Sequence, residues 1–404
     1  MRMPPKGFRP EPYEYHEELK LRVESLANLG HGIARHDGWV VHIANVIPGE
    51  LVRARIFRNH KSHSEADCIE VLESSPDRRD PKCKLYGTCG GCQYQHVAYE
   101  AQLHWKQRQV ADSLSRIGGI VHEVEPVIAS PKPFGYRTKL TPHFQKGKDG
   151  KIGNIGFLRV GSRRSIVDVE HCPIATDAIN EHLPDARKNL RASWKGKRGG
   201  TLLLRDSQEG VATCPREMVF EKLGSLVFQF RASEFFQNNP FILPNFVDYV
   251  ISQAKGRGLE CLVDAYCGGG LFALSAASSF PKVIGVEINR EGFECSKANA
   301  TLNRIQNCRF FLGSASEIFA DVSEPGHRSS LIVDPPRKGC DETFLRQAIK
   351  FEPAVIVYVS CEPTTQARDA KIITEGGYDI KIVQPFDLFP QTRHVENVIT
   401  FIKR

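Results

Sequence analysis

Hydrophobic and polar residues alternate with a period of two over residues 17–73, in LKLRVESL, GIARHDGWVVHI, LVRARIF and ADCIEVLES. Turn signals at Gly30, Gly32, Gly38 and Pro48-Gly49 separate these runs. The pattern predicts about five short strands closing into a small OB-like β-barrel. A charge-rich SSPDRRDPK linker follows, then a helical period over 98–117 stopped by Gly118-Gly119. Residues 120–230 mix strands with basic runs. From about residue 231 the pattern changes again: PFILPNFVDYVISQA and LFALSAASS read as helices, and LECLVDAY, KVIGVEI, CRFFLG, SLIVDPP and AVIVYVS as apolar strands. Such an alternation predicts an α/β domain with a doubly wound, Rossmann-like parallel sheet, which binds ligands at the carboxyl ends of its strands. The predicted domains are a barrel over 14–74, a central α+β region over 75–230 and the α/β domain over 231–404, with helix 98–117 a candidate to pack on the last.

Composition narrows the class. The 404 residues are 41% hydrophobic and 25% charged, as in soluble globular chains, and neither a secretory h-region nor a bilayer-length apolar run is visible. A cytoplasmic protein without a membrane partner is expected. The net charge of +7 is unevenly spread: residues 132–164 carry nine basic residues and one acid, Asp149. Residues 187–198 add Arg187, Lys188, Arg191, Lys195, Lys197 and Arg198 with no acid between them. A solvated basic face fits such runs, and so does a phosphate-binding surface, which would make nucleic acid the partner. Twelve cysteines without a secretory leader point to metal binding or catalysis rather than disulfides.

Five constellations carry chemistry. Cys83, Cys89 and Cys92 form C-x5-C-G-G-C, with Cys172 as a remote fourth thiol. Zinc fits such a loop, with His96 and His171 near by, but three clustered ligands plus one distant is an arrangement more familiar from iron-sulfur proteins. At 264–270, Asp-Ala-Tyr-Cys-Gly-Gly-Gly ends a strand before a helix, so a ligand can lie against Gly268, and Glu287 ends the next strand where ribose hydroxyls would bind. Gly268, Gly270 and Ala273 also satisfy G-x-G-x-x-A, leaving a nicotinamide cofactor open beside S-adenosylmethionine. Asp334-Pro335-Pro336-Arg337 is a stiff turn that is either purely structural or fixes a carboxylate at the sheet edge; Arg337 offers no aromatic face, which argues against an exocyclic amine as target. Cys361, in Ser360-Cys361-Glu362-Pro363, precedes a helix whose dipole is expected to lower its thiol pKa. Glu396 opens the last apolar strand as a candidate general base. Position at the carboxyl edge separates Cys361 from the other cysteines, with Cys267 of the glycine loop as the second thiol to consider.

Four of these segments, S-C-E-P-T-T-Q-A-R-D at 360–369, D-P-P-R-K-G at 334–339, F-F-Q-N-N at 235–239 and F-P-Q-T-R-H-V-E at 389–396, resemble the RNA uracil-5-methyltransferases. With C-G-G-C-Q-Y-Q-H at 89–96, the chain looks closest to the iron-sulfur branch, the 23S rRNA (uracil-5-)-methyltransferases. G-H-G-I-A-R at 30–35, W-V-V-H-I at 39–43 and I-P-G-E at 47–50 resemble a TRAM domain, implying RNA binding, with Arg53, Arg55, Arg58 and Lys61 as the contact surface. The resemblance runs in order along nearly the whole chain. It implies S-adenosylmethionine-dependent methylation of uridine C5, with Cys361 adding to C6 and Glu396 removing the C5 proton. Gln237, Tyr266, Gly268, Glu287 and Asp334 would then contact the cofactor. Cys83, Cys89, Cys92 and Cys172 would hold a 4Fe-4S cluster, and Phe235 and Arg137 would hold the target RNA. Leu271 stands where many relatives have Asn, so that cofactor contact is absent or replaced. A monomer acting on rRNA is expected. A tRNA uridine-54 methyltransferase, which shares the catalytic motifs, is the alternative. An RNA-binding iron-sulfur protein without catalysis is the rival, against which intact Cys361 and Glu396 speak.

Overall fold

The computed structural model describes residues 4–28, 30–147, 149–196, 198–313, 319 and 322–404. The chain divides into two compact units. The first comprises Met1–Gln109, Phe157–Val167 and Gln391–Arg393, the second Val110–Gly156, Asp168–Pro390 and His394–Arg404. Among the described residues no helix is long and apolar enough to cross a membrane.

The period-two segments of the first unit form β1 (Glu18–Leu26), β2 (Gly32–His36), β3 (Trp39–Ile43), β4 (Leu51–Asn59) and β5 (His63–Glu73). They close into a barrel in the order β1-β2-β3-β5-β4. Alternation decides what lies inside: Leu19, Leu21, Val23, Val41, Ile43, Val52, Ala54 and Ile56 are buried, and their polar neighbours face out. The I-P-G-E turn has a structural use. Glu50 is fully buried, accepts the Ile47 N–H at 2.9 Å and takes both arms of Arg78 at 2.6 and 2.7 Å, which fastens the linker onto the barrel. Arg53 is paired with Glu18 and Glu70, and Arg55 with Asp67, so half of the expected basic contact surface is neutralised by cross-strand acids.

The predicted helix over 98–117 is an α-helix, Tyr99–Ser113, ending in one wider turn, Leu114–Gly118. Gly119 terminates it at φ 66°, the left-handed conformation that suits glycine.

The second unit is organised by a seven-stranded sheet in the spatial order Cys308–Leu312, Lys282–Glu287, Cys261–Asp264, Ser329–Val333, Val355–Ser360, Glu396–Lys403, Tyr378–Phe386. Alternate residues face two cores. Val263, Ile284, Leu331 and Ile356 pack with Phe344 and Ala367 of helices Glu342–Phe351 and Pro363–Glu375. Leu262, Val283, Ile332 and Val357 pack with Phe246 and Phe272 of helices Leu243–Ala254 and Leu271–Ala276. The sheet is doubly wound as expected but not wholly parallel, because Glu396–Lys403 runs antiparallel to both neighbours. The reason lies in the connection: the short segment between Phe386 and Glu396 makes a hairpin, whereas a parallel return needs a crossover of a dozen residues or more.

The basic run at 187–198 is not one surface. Helix Asp177–Ser193 turns Arg187 inward, where it donates to the Ile155 carbonyl at 2.7 Å, to the Val169 carbonyl and to Asp168 at 2.6 Å. Lys188, Arg191, Lys195 and Arg198 are exposed, and Lys197 lies outside the described residues. Arg187→Met would remove the donor to Asp168 Oδ2 and to the Val169 carbonyl, while Asp168 Oδ1 keeps the Ile155 N–H and the Ile155 carbonyl that of Val169. Because Asp168 is about a third exposed, the expected loss is about 2–3 kcal/mol, below that of a fully buried pair, read as a lower urea midpoint. An unchanged midpoint would return Arg187 to the solvated face.

Candidate functional site at the carboxyl edge of the sheet

Strand Cys261–Asp264 runs into the glycine loop, where Gly268 (φ 52°) and Gly270 (φ 89°) take left-handed conformations and open helix Leu271–Ala276. Glu287, at the end of the neighbouring strand, accepts the Gly268 N–H at 2.8 Å through Oε2 and the Asn289 N–H at 2.7 Å through Oε1. Its carboxylate is therefore oriented against the loop before any ligand arrives. Tyr266 packs edge-on against Phe344, with ring centroids 5.5 Å apart, and burial followed by the nearby Cys340 raises its phenol pKa. Its hydroxyl is thus committed to the protein interior. Cys267 is buried with its thiol pushed well up, first by burial and then by Asp264, which removes it as an accessible nucleophile.

The chain delivers Cys361 and Glu396 to one place by strand pairing. Val355–Ser360 and Glu396–Lys403 are antiparallel with Ser360 opposite Asn397, so the next residue on one strand, Cys361, falls opposite Glu396 on the other. Buried amides lock this register. Gln366 Nε2 donates to the carbonyls of Tyr358 and Asn397 at 2.9 and 3.1 Å, and Asn397 Nδ2 donates to Gln366 Oε1 at 2.8 Å. The Asp334 turn is gripped by the same helix: Thr365 donates to the Arg337 carbonyl at 3.0 Å, and Arg368 to those of Lys338 and Cys340 at 3.1 and 3.3 Å. Gly339, at φ 77°, fits beneath; a Cβ there would lie 2.6 Å from Arg368 and Asp369.

Electrostatically this edge is crowded with acids. Glu396, 4% exposed, is raised well above the usual carboxyl range by burial and then by Asp334, against the pull of Arg337. Burial pushes Asp334 up to about 7. Fully buried Asp264 is pushed up to about 8 by burial, with Asp334 and Glu287 adding to the shift; its Oδ2 accepts the Ala273 N–H at 3.0 Å and its Oδ1 has no hydrogen-bond partner. The expectation of an acidic Cys361 thiol is overturned. Burial and then Glu396 push it up to about 12, and Arg337 opposes them. Cys361 lies outside the helix, whose first residue, Pro363, has no N–H to offer, so desolvation outweighs the dipole. Arg337, quoted in a motif but given no role from sequence, is the cation beside both Cys361 and Glu396. Its guanidinium also lies 3.4 Å from His394. The D-P-P-R spacing was the available signal.

The 233–239 loop is held by inward-turned cations. Lys139 donates to the Ser233 and Glu234 carbonyls at 2.6 and 2.9 Å, and buried Arg205 to the Glu234 carbonyl and Asn238 Oδ1 at 2.9 and 3.3 Å. Arg137 supports them from the side, donating to the Lys139 carbonyl at 3.0 Å. The loop leaves Phe235 75% exposed and Gln237 buried. Asn239 ties it to the Leu388 carbonyl at 3.1 Å, and so to the segment carrying Phe389 and, 6.0 Å ring to ring, His394.

In the first unit, Cys83, Cys89 and Cys92 lie in one loop. The Gly90 N–H donates to the Leu158 carbonyl at 2.9 Å, and Gly91 passes where a Cβ would be 3.6 Å from Cys89 Sγ. Cys89 is raised by burial, against the pull of the Gly91 N–H, with the charge of Cys83 adding a smaller rise. Cys172 belongs to the second unit, where Asn180 Oδ1 accepts its N–H at 2.8 Å.

The family model described as tRNA (uracil-5-)-methyltransferase matches residues 179–404. A tRNA (uracil(54)-C(5))-methyltransferase of Schizosaccharomyces pombe is 38% identical over 97% of this chain and 79% of its own length. The Saccharomyces cerevisiae protein of the same name is 34% identical over 95% and 74%. An uncharacterised RNA methyltransferase of Halalkalibacterium halodurans is 32% identical over 96% and 97%. Among solved structures, a Pyrococcus abyssi tRNA (uracil-54, C5)-methyltransferase in complex with S-adenosyl-L-homocysteine matches with TM-score 0.72 and 25% identity, over 95% of this chain and all of that one. The chain therefore belongs to the RNA (uracil-5-)-methyltransferase family, enzymes that use S-adenosylmethionine to methylate C5 of uridine in RNA.

Proposed function

We propose that the RNA is tRNA and the methylated base uridine 54, with Cys361 as nucleophile and Glu396 as base. Support for tRNA comes from the relatives at 38% and 34% identity, both tRNA uridine-54 enzymes. They favour the alternative in the sequence reading over 23S rRNA, which rested on the likeness of the cysteine loop. The observation that carries the chemistry is the strand register that sets Cys361 across from Glu396.

Uracil C5 is a poor nucleophile until the ring loses its conjugation. Arg337 favours the Cys361 thiolate as its proton leaves to water, and the sulfur bonds to C6, sending the C5–C6 π pair toward C5 and the O4 enolate. Bound S-adenosylmethionine supplies an electrophilic methyl group. C5 would take that methyl group as its bond to sulfur breaks and S-adenosylhomocysteine leaves with the bonding pair; Glu396 then takes the C5 proton, and the returning electron pair restores the double bond and expels the thiolate. A carboxylate with a raised pKa is a stronger base, which suits Glu396 to that proton. The residues fit the cofactor's charge: Asp264, Glu287 and Asp334 line the edge, and the buried Asp264 oxygen lacks a partner, so a cationic sulfonium relieves rather than adds to the crowding. Gly268, Glu287, Asp334, Gln237 and the ring of Tyr266 would hold it, and exposed Phe235 with Arg137 would receive the extruded uridine.

The Cys83, Cys89 and Cys92 loop suits a 4Fe-4S cluster, because it brings three thiols into one short loop and its glycines allow close wrapping. The assignment of Cys172 as the fourth ligand rests on the sequence pattern alone.

Three outcomes are expected. Cys361→Ala should bind RNA yet form no adduct, whereas Glu396→Gln should accumulate an RNA–protein species stable to denaturing electrophoresis. Wild-type kcat/KM should climb with pH and still be rising at about pH 9, since burial pushes the Cys361 thiol up to about 12 and leaves its thiolate scarce at neutrality. Methylation by Cys361→Ala, or a flat profile, would remove the nucleophile assignment. Second, a tRNA transcript should accept methyl groups and lose them on replacing uridine 54 by cytidine; methylation of a 23S rRNA transcript alone would restore the rRNA reading. Third, anaerobically purified protein should contain iron and sulfide and be bleached by Cys89→Ala, and stoichiometric zinc in their place would refute the cluster.

A further inference from the structure

The outer face of the barrel carries an imidazole cluster unrelated to the methyl-transfer chemistry. On β3, Val41 and Ile43 point inward and His42 outward; on β5, Ser64 and Ala66 point inward and His63 and Glu65 outward. The strands are parallel neighbours with His42 in register with Glu65. His60 joins them because the chain turns tightly between β4 and β5, its N–H donating to the His63 carbonyl at 2.8 Å. The result is a compact group. The His60 and His63 rings stack at 4.4 Å, the His42 ring stands 4.5 Å from that of His63, and ligand atoms of His60, His63 and Glu65 all lie within 4.8 Å of one another.

One contact is informative. His60 Nε2 lies 3.1 Å from Glu65 Oε1, yet this nitrogen is shielded from water and makes no hydrogen bond. A nitrogen and an oxygen that close, but not hydrogen-bonded, lie near the edge length of about 3.3 Å of a tetrahedral site with metal–ligand bonds of about 2.0–2.1 Å. His63 Nδ1 faces Ser62 Oγ at 3.4 Å, leaving Nε2 for an ion. We infer that His60, His63 and Glu65 form a binding site for a zinc-class divalent transition metal. Imidazole donors select such ions over magnesium or calcium, which prefer all-oxygen shells. Bound metal would fasten the β4–β5 turn to the start of β5 on the barrel's outer face.

The test uses the full-length protein, dialysed anaerobically against a mild chelator and titrated with Co2+ alone. The expected result is one equivalent bound with visible d–d absorption and no sulfur-to-cobalt charge-transfer band, since the donors are nitrogen and oxygen. His63→Ala, and independently the conservative surface change Glu65→Gln, should each weaken binding by at least about a hundredfold, beyond the usual effect of losing an outer-shell partner. His143→Ala, on the other unit, should leave it unchanged. Equal binding by the wild type, His63→Ala and Glu65→Gln would overturn the site, as would cobalt bound only with a thiolate charge-transfer band, which would locate it at the cysteine loop.

Discussion

The antiparallel return of Glu396–Lys403 beside Val355–Ser360 is the constraint on which the catalytic edge depends. Every parallel strand of this sheet delivers its carboxyl end to one edge, which is how Asp264, Glu287, Asp334 and Cys361 come to share it. A base on a following strand joins them only if that strand starts where the others finish. Had it run parallel, Glu396 would sit at the far end of a six-residue strand, about 20 Å away at 3.3 Å per residue. The Gln366–Asn397 amide pair holds the register to a single residue, and a slip by one would turn Glu396 to the opposite face of the sheet.

That geometry costs the free protein electrostatic comfort. Acids along the edge raise one another's pKa values, and Arg337 is the cation that offsets them around Cys361 and Glu396. A site of this kind favours a positively charged cosubstrate, because a nearby cation offsets the cost that burial places on the ionised acids. The same burial raises the pKa of both the Cys361 thiol and the Glu396 carboxyl, so one environment sets the protonation of both groups.

Positive charge is distributed by a different logic from the one composition suggests. Arg187, Arg205 and Lys139 turn inward and saturate backbone carbonyls, and Arg78 clamps buried Glu50. Arginine suits such work, since its planar fork reaches several acceptors at once. What stays on the surface is the exposed subset, Lys188, Arg191, Lys195 and Arg198 among them, together with the protruding ring of Phe235.

The sequence by itself determined the barrel, the α/β domain and the motif residues, because period-two alternation, apolar strand runs and glycine turns are local properties. It also determined which thiol to examine, since Cys361 follows directly from a strand end. It could not determine that thiol's pKa: helix position is a local signal favouring ionisation, but burial and the charge of Glu396, 35 residues away in the chain, outweigh it. Nor could it separate Arg187 from Lys188, neighbours of like charge with opposite fates. The charge coupling of Cys361 with Glu396, the position of Arg337 beside both and the setting of the His42 ring against that of His63 were decided by tertiary structure. Each depends on which strands pair and in what register, a property that belongs to the folded sheet and to no single stretch of chain.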